Sequence, residues 1–281
     1  MQTVLVFGPG FLGTMFAEST PGAILSTADI ANETEVREAI EDVRPDVVVN
    51  FAGKTGKPNV DWCEENKSIT FRSNVTGALI LAGVCQDLGL HLIHISSGCI
   101  FYGTAPDPRG WLESDFANPV SFYSCTKYAA ELVIAQLENT AVIRLRMPID
   151  SKPSTRNLIT KLANYPKIID VENSVTIIDD LMEVVRAVIA QKATGVFHAV
   201  NPGSVRHRDI IALYEELVDP NHVNEWINEQ DLVSQGLARK ARSNNLMQNT
   251  RLAEIGINMR PINIALRDAM EKYAAVVKQR D

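Results

Sequence analysis

The sequence predicts an α/β fold, a doubly wound parallel sheet with a smaller, mainly helical C-terminal lobe. Three observations lead there. A continuous apolar β run, Thr3 to Phe7, stands near the amino end and enters a glycine-rich turn at once. Strand-like and helix-like patterns then alternate as far as Leu145, the rhythm of parallel strands joined by helical crossovers. Past Leu145 the alternation lapses and helical patterns take over.

The turn is Gly8-Pro9-Gly10-Phe11-Leu12-Gly13, Gly-x-Gly-x-x-Gly between a strand and a helix that runs to about Glu18. Glycines there let backbone approach a pyrophosphate, and the helix amino end offers unpaired N–H groups and a positive dipole. A dinucleotide site of the Rossmann type follows, with Gly8, Gly10, Phe11, Leu12 and Gly13 against the phosphates. Ala23 to Ser26 reads as the second strand. An acidic residue after it would grip the ribose hydroxyl of NAD, and an arginine would favour NADP. Here Ser26 and Thr27 end the strand, small hydroxyls that tolerate a 2′-phosphate without demanding it, so these residues leave the choice open; Ser26, Thr27 and Asp29 are the candidate ribose contacts, and NADPH is the expected coenzyme with NADH possible. Glu33 to Val43 is helical, Asp46 to Asn50 is a valine-rich strand, and Phe51-Ala52-Gly53 forms the next loop against the cofactor.

Lys54 to Asn66 is a longer polar loop, expected to form one wall of a substrate pocket, although its polar residues are also turn formers. Ile69 to Leu88 is a long amphipathic helix whose Asn74 is either a buried polar hinge or solvated. Leu90 to Ile95 is a buried strand, so Ser97 and Cys99 fall where it ends, the place where open α/β sheets bind ligands. In the helix from Tyr123 to about Gln136, Tyr123 and Lys127 are four apart and share a face. The ammonium is expected to lower the phenol pKa, leaving a proton donor for a carbonyl that receives hydride, while Ser97 adds a second hydrogen bond.

Later elements are a strand at Ala141 to Leu145, a helix at Thr155 to Tyr165, a short strand at Val175 to Ile178, a helix at Asp179 to Gln191 and a strand at Val196 to Val200. Three or four helices with little β signal fill Arg206 to Asp281. The expected division is an NAD(P)-binding domain over 1–150, completed by segments around 166–200, and an interleaved substrate lobe over 151–281.

Composition bounds the partners. The 281 residues are 46% apolar and 22% charged with net charge −7, and no basic run gives electrostatic support for nucleic acid or a membrane surface. Neither a leader pattern nor an uninterrupted 18-residue apolar run is seen, so a cytoplasmic protein is expected. The cysteines Cys63, Cys85, Cys99 and Cys125 lack metal-ligand spacing, and no metal is expected.

Longer strings carry a resemblance. Asn50 to Glu64, Gly98-Cys99-Ile100-Phe101, Ser121 to Ser124, Arg144 to Ile149, Arg156 to Lys161, Asn201-Pro202-Gly203 and Arg242 to Asn245 resemble the bifunctional UDP-4-keto-6-deoxy-glucose 3,5-epimerase/4-reductases. These are extended short-chain dehydrogenase/reductases related to the dTDP-4-dehydrorhamnose reductases. The resemblance implies that Cys99 and Lys161 are the acid–base pair for inversion at C3 and C5, and that Ser97, Tyr123 and Lys127 serve reduction at C4. It also implies a nucleotide-sugar substrate met by Thr55, Asn59, Ser97, Gly98, Asn157, Arg242, Asn244 and Asn245, a homodimer built through the helices around Thr76 and Ala130, and an upstream 4,6-dehydratase. Two alternatives stay open: a dTDP-4-dehydrorhamnose reductase without epimerase activity, and a non-catalytic NADP-binding regulatory subunit.

Overall fold

The computed structural model describes residues 2–57, 59–240 and 242–279; Pro58 of the resembling block and the last two residues of the C-terminal stretch lie outside them. Five strands are labelled in chain order: β1 (Val4–Phe7), β2 (Ala23–Ser26), β3 (Val47–Asn50), β4 (His91–Ser97) and β5 (Thr140–Leu145). With Gly195–Ala199 they form a six-stranded sheet ordered Gly195–Ala199, β5, β4, β3, β1, β2. The pairs β1–β2, β1–β3 and β3–β4 are parallel, with Val4 opposite both Ala23 and Val47. The order turns back between β1 and β3, so the carboxyl ends of these strands flank a crevice. β1, β3, β4 and β5 are buried at every residue, covered on both faces, which is why β1 and β3 read as near-continuous apolar runs and not as alternating ones.

Two compact units are distinguished: Met1–Ile100, Pro119–Arg144 and Val185–Phe197 form the first, and Phe101–Asn118, Leu145–Val184 and His198–Asp281 the second. In the first, helix α1 (Phe11–Ser19) follows β1 and helix α2 (Glu33–Val43) follows β2. The core joins Leu5, Phe7, Val36, Ile40, Val48, Leu81, Val84, Leu92, Ile134 and Val142. The stretch Lys67–Asp87 is long and apolar enough to cross a bilayer by length and composition, but Ala78, Leu81, Ala82, Val84 and Cys85 place it in this core.

That stretch is not the uniform helix that its pattern predicts. It runs as Lys67–Phe71, a π-helical turn at Arg72–Gly77, and Ala78–Asp87. A buried ionic group lies behind β4, where Glu131 of the helix Phe122–Ile134 accepts from Ser96 Oγ at 2.5 Å and from Arg144 Nη2 at 2.5 Å. Arg144 is thus a partner within the fold, with side-chain exposures of 4% for it and 2% for Glu131. Removing one member of such a pair strands a buried charge. Glu131→Ala is therefore expected to lower unfolding stability by about 3–5 kcal/mol, read from urea denaturation.

The second unit has its own core, in which the helices Leu158–Asn164, His207–Leu217 and Ile262–Lys278 bring together Ile159, Leu162, Ile210, Ile211, Ala265, Leu266, Ala269 and Tyr273. From Arg206 onward the described residues form four helices with only the strand Glu225–Ile227 and the end of Val205–Arg206, as the pattern predicts, and the other strands of this unit are short too. Lys167–Ile169 pairs in parallel with Glu225–Ile227, Glu172–Asn173 pairs antiparallel with Val205–Arg206, and Pro148–Ile149 pairs with Thr176–Ile177. Strands of two or three residues are too short to show a period of two.

Candidate active site

The glycine turn is tied to the loop after β3. Gly8 has φ +98°, and a Cβ on it would stand 2.3 Å from Ala52 N; one on Gly13 would stand 2.1 Å from Gly8 O. Only glycine fits either position. A Cβ on Gly10 meets nothing within 4 Å, so the backbone opens outward there. Gly10 also caps α1, whose amino end carries no side-chain cap and no acidic residue. Open backbone at an uncapped helix amino terminus fits a pyrophosphate. Phe11 and Leu12 begin that helix, Phe51 packs on Phe16 with ring centroids 5.4 Å apart, and Ala52 N donates to Asn50 Oδ1 at 2.9 Å, which fixes the Phe51–Gly53 loop. Ser26 Oγ accepts from Ala28 N at 3.2 Å, Thr27 is exposed, and Asp29 accepts from Ala31 N and Arg72.

Ser97, Cys99, Tyr123 and Lys127 all belong to the first unit. Ser97 ends β4, and a 3₁₀ turn, Gly98–Ile100, carries Cys99; Cys99 N donates to Ser97 Oγ at 3.1 Å. Tyr123 stands in the first turn of Phe122–Ile134. Two groups cap that turn: Ser121 Oγ accepts from Ser124 N at 3.2 Å, and Glu64 Oε1 accepts from Phe122 N at 2.8 Å. Glu64 gives the polar loop a task that sequence reading did not assign. Asn74 supplies another brace. Fully buried at the π turn, it accepts from Lys54 N at 2.7 Å and donates to Lys54 O and Thr126 Oγ1, both at 3.1 Å. Thr126 Oγ1 in turn donates to Tyr123 O at 2.8 Å, so Asn74 is the buried hinge and not the solvated residue.

The phenol behaves otherwise than spacing predicts. Burial raises the Tyr123 pKa, the neighbouring Cys99 pushes it further up, and a hydrogen bond with Ser97 opposes both. Lys127 does not lower it, because its Nζ is drawn to Ile95 O at 2.8 Å. Burial in turn takes the Lys127 ammonium from 10.5 down to about 8, against the pull of Glu131. Between about pH 8 and 10.5 the unfolded chain therefore binds the lysine proton and the folded chain does not. Folding stability rises with pH across that window, by roughly 3 kcal/mol for this group alone. The raised phenol pKa acts oppositely and only above about pH 10, where the unfolded tyrosine ionises first. Chemical denaturation of wild type from pH 8 to 10 is expected to show the rise, and Lys127→Met to lack it.

Lys161, Asn157, Arg242, Asn244 and Asn245 lie in the second unit. Lys161 is half-buried in Leu158–Asn164; burial lowers its pKa and Arg156 adds to the effect. Asn157 is corrected from ligand to structural cap. Its Oδ1 accepts from Ile159 N and Asp150 N, and its Nδ2 donates to the Asp150 and Lys152 carbonyls, which uses every donor and acceptor it has. This cap also starts the helix three residues later than the apolar pattern suggested. Asn245 is buried and ties Asn173, Phe101 and Ser243 together, Asn244 Nδ2 donates to Glu229 at 2.6 Å, and Arg242 is half-buried. Asn59 Oδ1 accepts from Asp61 N at 2.9 Å, an Asx turn, while Thr55 is half-buried and Gly98 buried.

A parallel sheet with a glycine turn against its first helix, and with serine, tyrosine and lysine gathered where β4 ends, defines an oxidoreductase of the Rossmann type. The chain belongs to the family described as RmlD substrate binding domain, which matches residues 8–275. It is 41% identical over 221 residues to the bifunctional dTDP-4-dehydrorhamnose 3,5-epimerase/dTDP-4-dehydrorhamnose reductase of Arabidopsis thaliana, covering 76% of this chain and 72% of that protein. It is 34% identical over 251 residues to a trifunctional UDP-glucose 4,6-dehydratase/UDP-4-keto-6-deoxy-D-glucose 3,5-epimerase/UDP-4-keto-L-rhamnose-reductase of the same plant, covering 87% of this chain and 37% of that longer protein. Among solved structures, the L780 UDP-rhamnose synthase of Acanthamoeba polyphaga mimivirus superposes with a TM-score of 0.89 at 29% identity, covering 96% and 99% of the two chains. The dTDP-4-dehydrorhamnose reductase of Bacillus anthracis in complex with NADP superposes with a TM-score of 0.82 at 21% identity, covering 97% and 98%, a likeness of fold.

Proposed function

We propose that this chain inverts C3 and C5 of a nucleotide 4-keto-6-deoxy-glucose and reduces the resulting 4-keto group with NADPH, giving a nucleotide-L-rhamnose, with UDP as the nucleotide. The observation that carries the reading is the buried Tyr123 phenol hydrogen-bonded to Ser97, with Cys99 beside them and Lys127 one helical turn on. The relatives named as epimerase/reductases support it.

The open Gly10 backbone would hold the pyrophosphate, Ser26, Thr27 and Asp29 the adenosine ribose, and Lys127 the nicotinamide ribose. NADPH, when bound, supplies the hydride for C4. Tyr123 gives its proton to O4, and its raised pKa keeps that proton in place at neutral pH until the oxygen becomes basic. Ser97 donates a second hydrogen bond to the same oxygen. Epimerisation precedes this step. The 4-keto group acidifies the hydrogens on C3 and C5, and inverting each centre takes a proton from one face and returns one to the other. Cys99 and Lys161 are the two carriers, Cys99 as the base and Lys161 as the acid, and burial makes the Lys161 ammonium a readier proton donor.

The enzyme acts in the cytoplasm on a ketone made by a 4,6-dehydratase and works as a homodimer. Apolar residues exposed by nearly half or more on two helical segments, Ile69, Phe71, Leu132 and Val133, support the dimer; Ala130 itself is buried in the core and is not a contact. The test is NMR in deuterated buffer with UDP-4-keto-6-deoxy-glucose. Wild type is expected to place deuterium at C3 and C5 without NADPH and to form UDP-L-rhamnose with it. Neither exchange nor NADPH consumption, on this ketone and its dTDP counterpart, would end the reading.

A further inference from the structure

The segment that closes the adenosine end of the crevice, Ser26 to Glu35, contains no lysine or arginine and has Asp29 three residues past β2. By its sequence it suits NADH: a carboxylate accepts from a ribose 2′-hydroxyl and repels a 2′-phosphate, which needs a cation there. The fold changes that balance. Arg72, the first residue of the π-helical turn, reaches back over 43 residues of chain, and its Nη2 donates to Asp29 Oδ2 at 3.2 Å. Asp29 Oδ1 is occupied as well, accepting from Ala31 N at 3.0 Å. The other carboxylate facing Asp29 is also engaged, since Glu35 accepts from Asp29 N at 2.8 Å and from Asn32 Nδ2 at 2.7 Å.

The approach of the two segments is built in. A Cβ on Gly77, in the same π turn, would stand 2.7 Å from Ile30 Cγ1, so that turn lies directly on the residue after Asp29. The Arg72–Asp29 pair itself is loose, with side-chain exposures of 63% and 53%. An ion pair that open to water is weak and readily exchanged for a stronger partner, and a phosphate dianion takes a guanidinium fork in two parallel hydrogen bonds.

We propose that Arg72 is the coenzyme-selecting residue: it neutralises Asp29 and supplies, from a different crossover, the cation that the β2 segment lacks, turning an NADH-type strand end into one that prefers NADPH. The inference rests on the coenzyme assignment above, and calorimetric binding of adenosine 2′,5′-bisphosphate and of 5′-AMP separates the two. Wild type is expected to bind the bisphosphate at least about tenfold more tightly than AMP. Arg72→Ala should lose about 10- to 100-fold for the bisphosphate, the range of a charged hydrogen bond, and stay within about twofold for AMP. Arg72→Lys should retain part of the preference, and Asp29→Asn should increase it. Equal weakening of both ligands by Arg72→Ala, or no change in either, overturns the proposal. Wild-type binding of AMP and bisphosphate with equal affinity overturns it while leaving the dinucleotide site standing. Binding of neither removes the coenzyme assignment and the proposal together.

Discussion

Tyr123→Phe is expected to cut NADPH-dependent reduction by about 10²–10⁴-fold, the usual worth of a positioned general acid, while leaving deuterium exchange at C3 and C5 near the wild-type rate. The two halves of that result have separate causes. Reduction needs a proton at O4, and the phenol is the group with a proton to give: buried, held by Ser97, and raised in pKa so that it stays protonated at neutral pH. Exchange asks only for enolisation of the ketone, and the phenol is not one of the two carriers assigned to it. The substitution removes one hydroxyl from a side chain braced by its helix, capped by Ser121 and Glu64, so the fold should persist. A loss of reduction below tenfold would mean that the proton comes from elsewhere.

Cys99→Ala is expected to do the reverse, lowering exchange at C3 and C5 by at least about 10²-fold while reduction of an already epimerised 4-keto-rhamnose continues. Cys99 N donates to Ser97 Oγ, and this bond comes from the backbone, so alanine keeps it and Ser97 stays oriented. What disappears is the thiol. Supplying the two ketones separately, with product followed by NMR, divides the steps. Exchange that survives in Cys99→Ala would move the base to another side chain and leave a reductase.

The parts legible in the sequence are those carried by local pattern. Glycine spacing located the turn at Gly8–Gly13, near-continuous apolar runs located β1 and β3, and a four-residue interval placed Tyr123 and Lys127 on one helical face. What spacing cannot express is the balance between burial and charge. Lys127 was expected to acidify the phenol, but its ammonium bonds to Ile95 O and burial sets the direction instead. The contacts of Glu64 with Phe122 and of Asn74 with Lys54 span 58 and 20 residues, so no window of sequence displays them. Asn157 misled for a related reason. An asparagine before a helix is read equally as cap or ligand, and only its four satisfied bonds decide.

The turn at Arg72–Gly77 bears on how this chain tolerates insertions and deletions. A π turn holds one residue more than the α-helical turn it replaces, and the excess sets the directions in which neighbouring side chains leave the helix. Removing a single residue there would restore an ordinary helical turn, keep the two flanking segments in nearly their present orientation and re-aim the side chains inside the turn itself. Asn74 would then leave Lys54, and Arg72 would leave Asp29, in one step. Length changes accumulate at exposed loop tips, where backbone bonding sets no register. Within this helix, one codon too few would reach the hinge of the tyrosine helix and the coenzyme end of the crevice together.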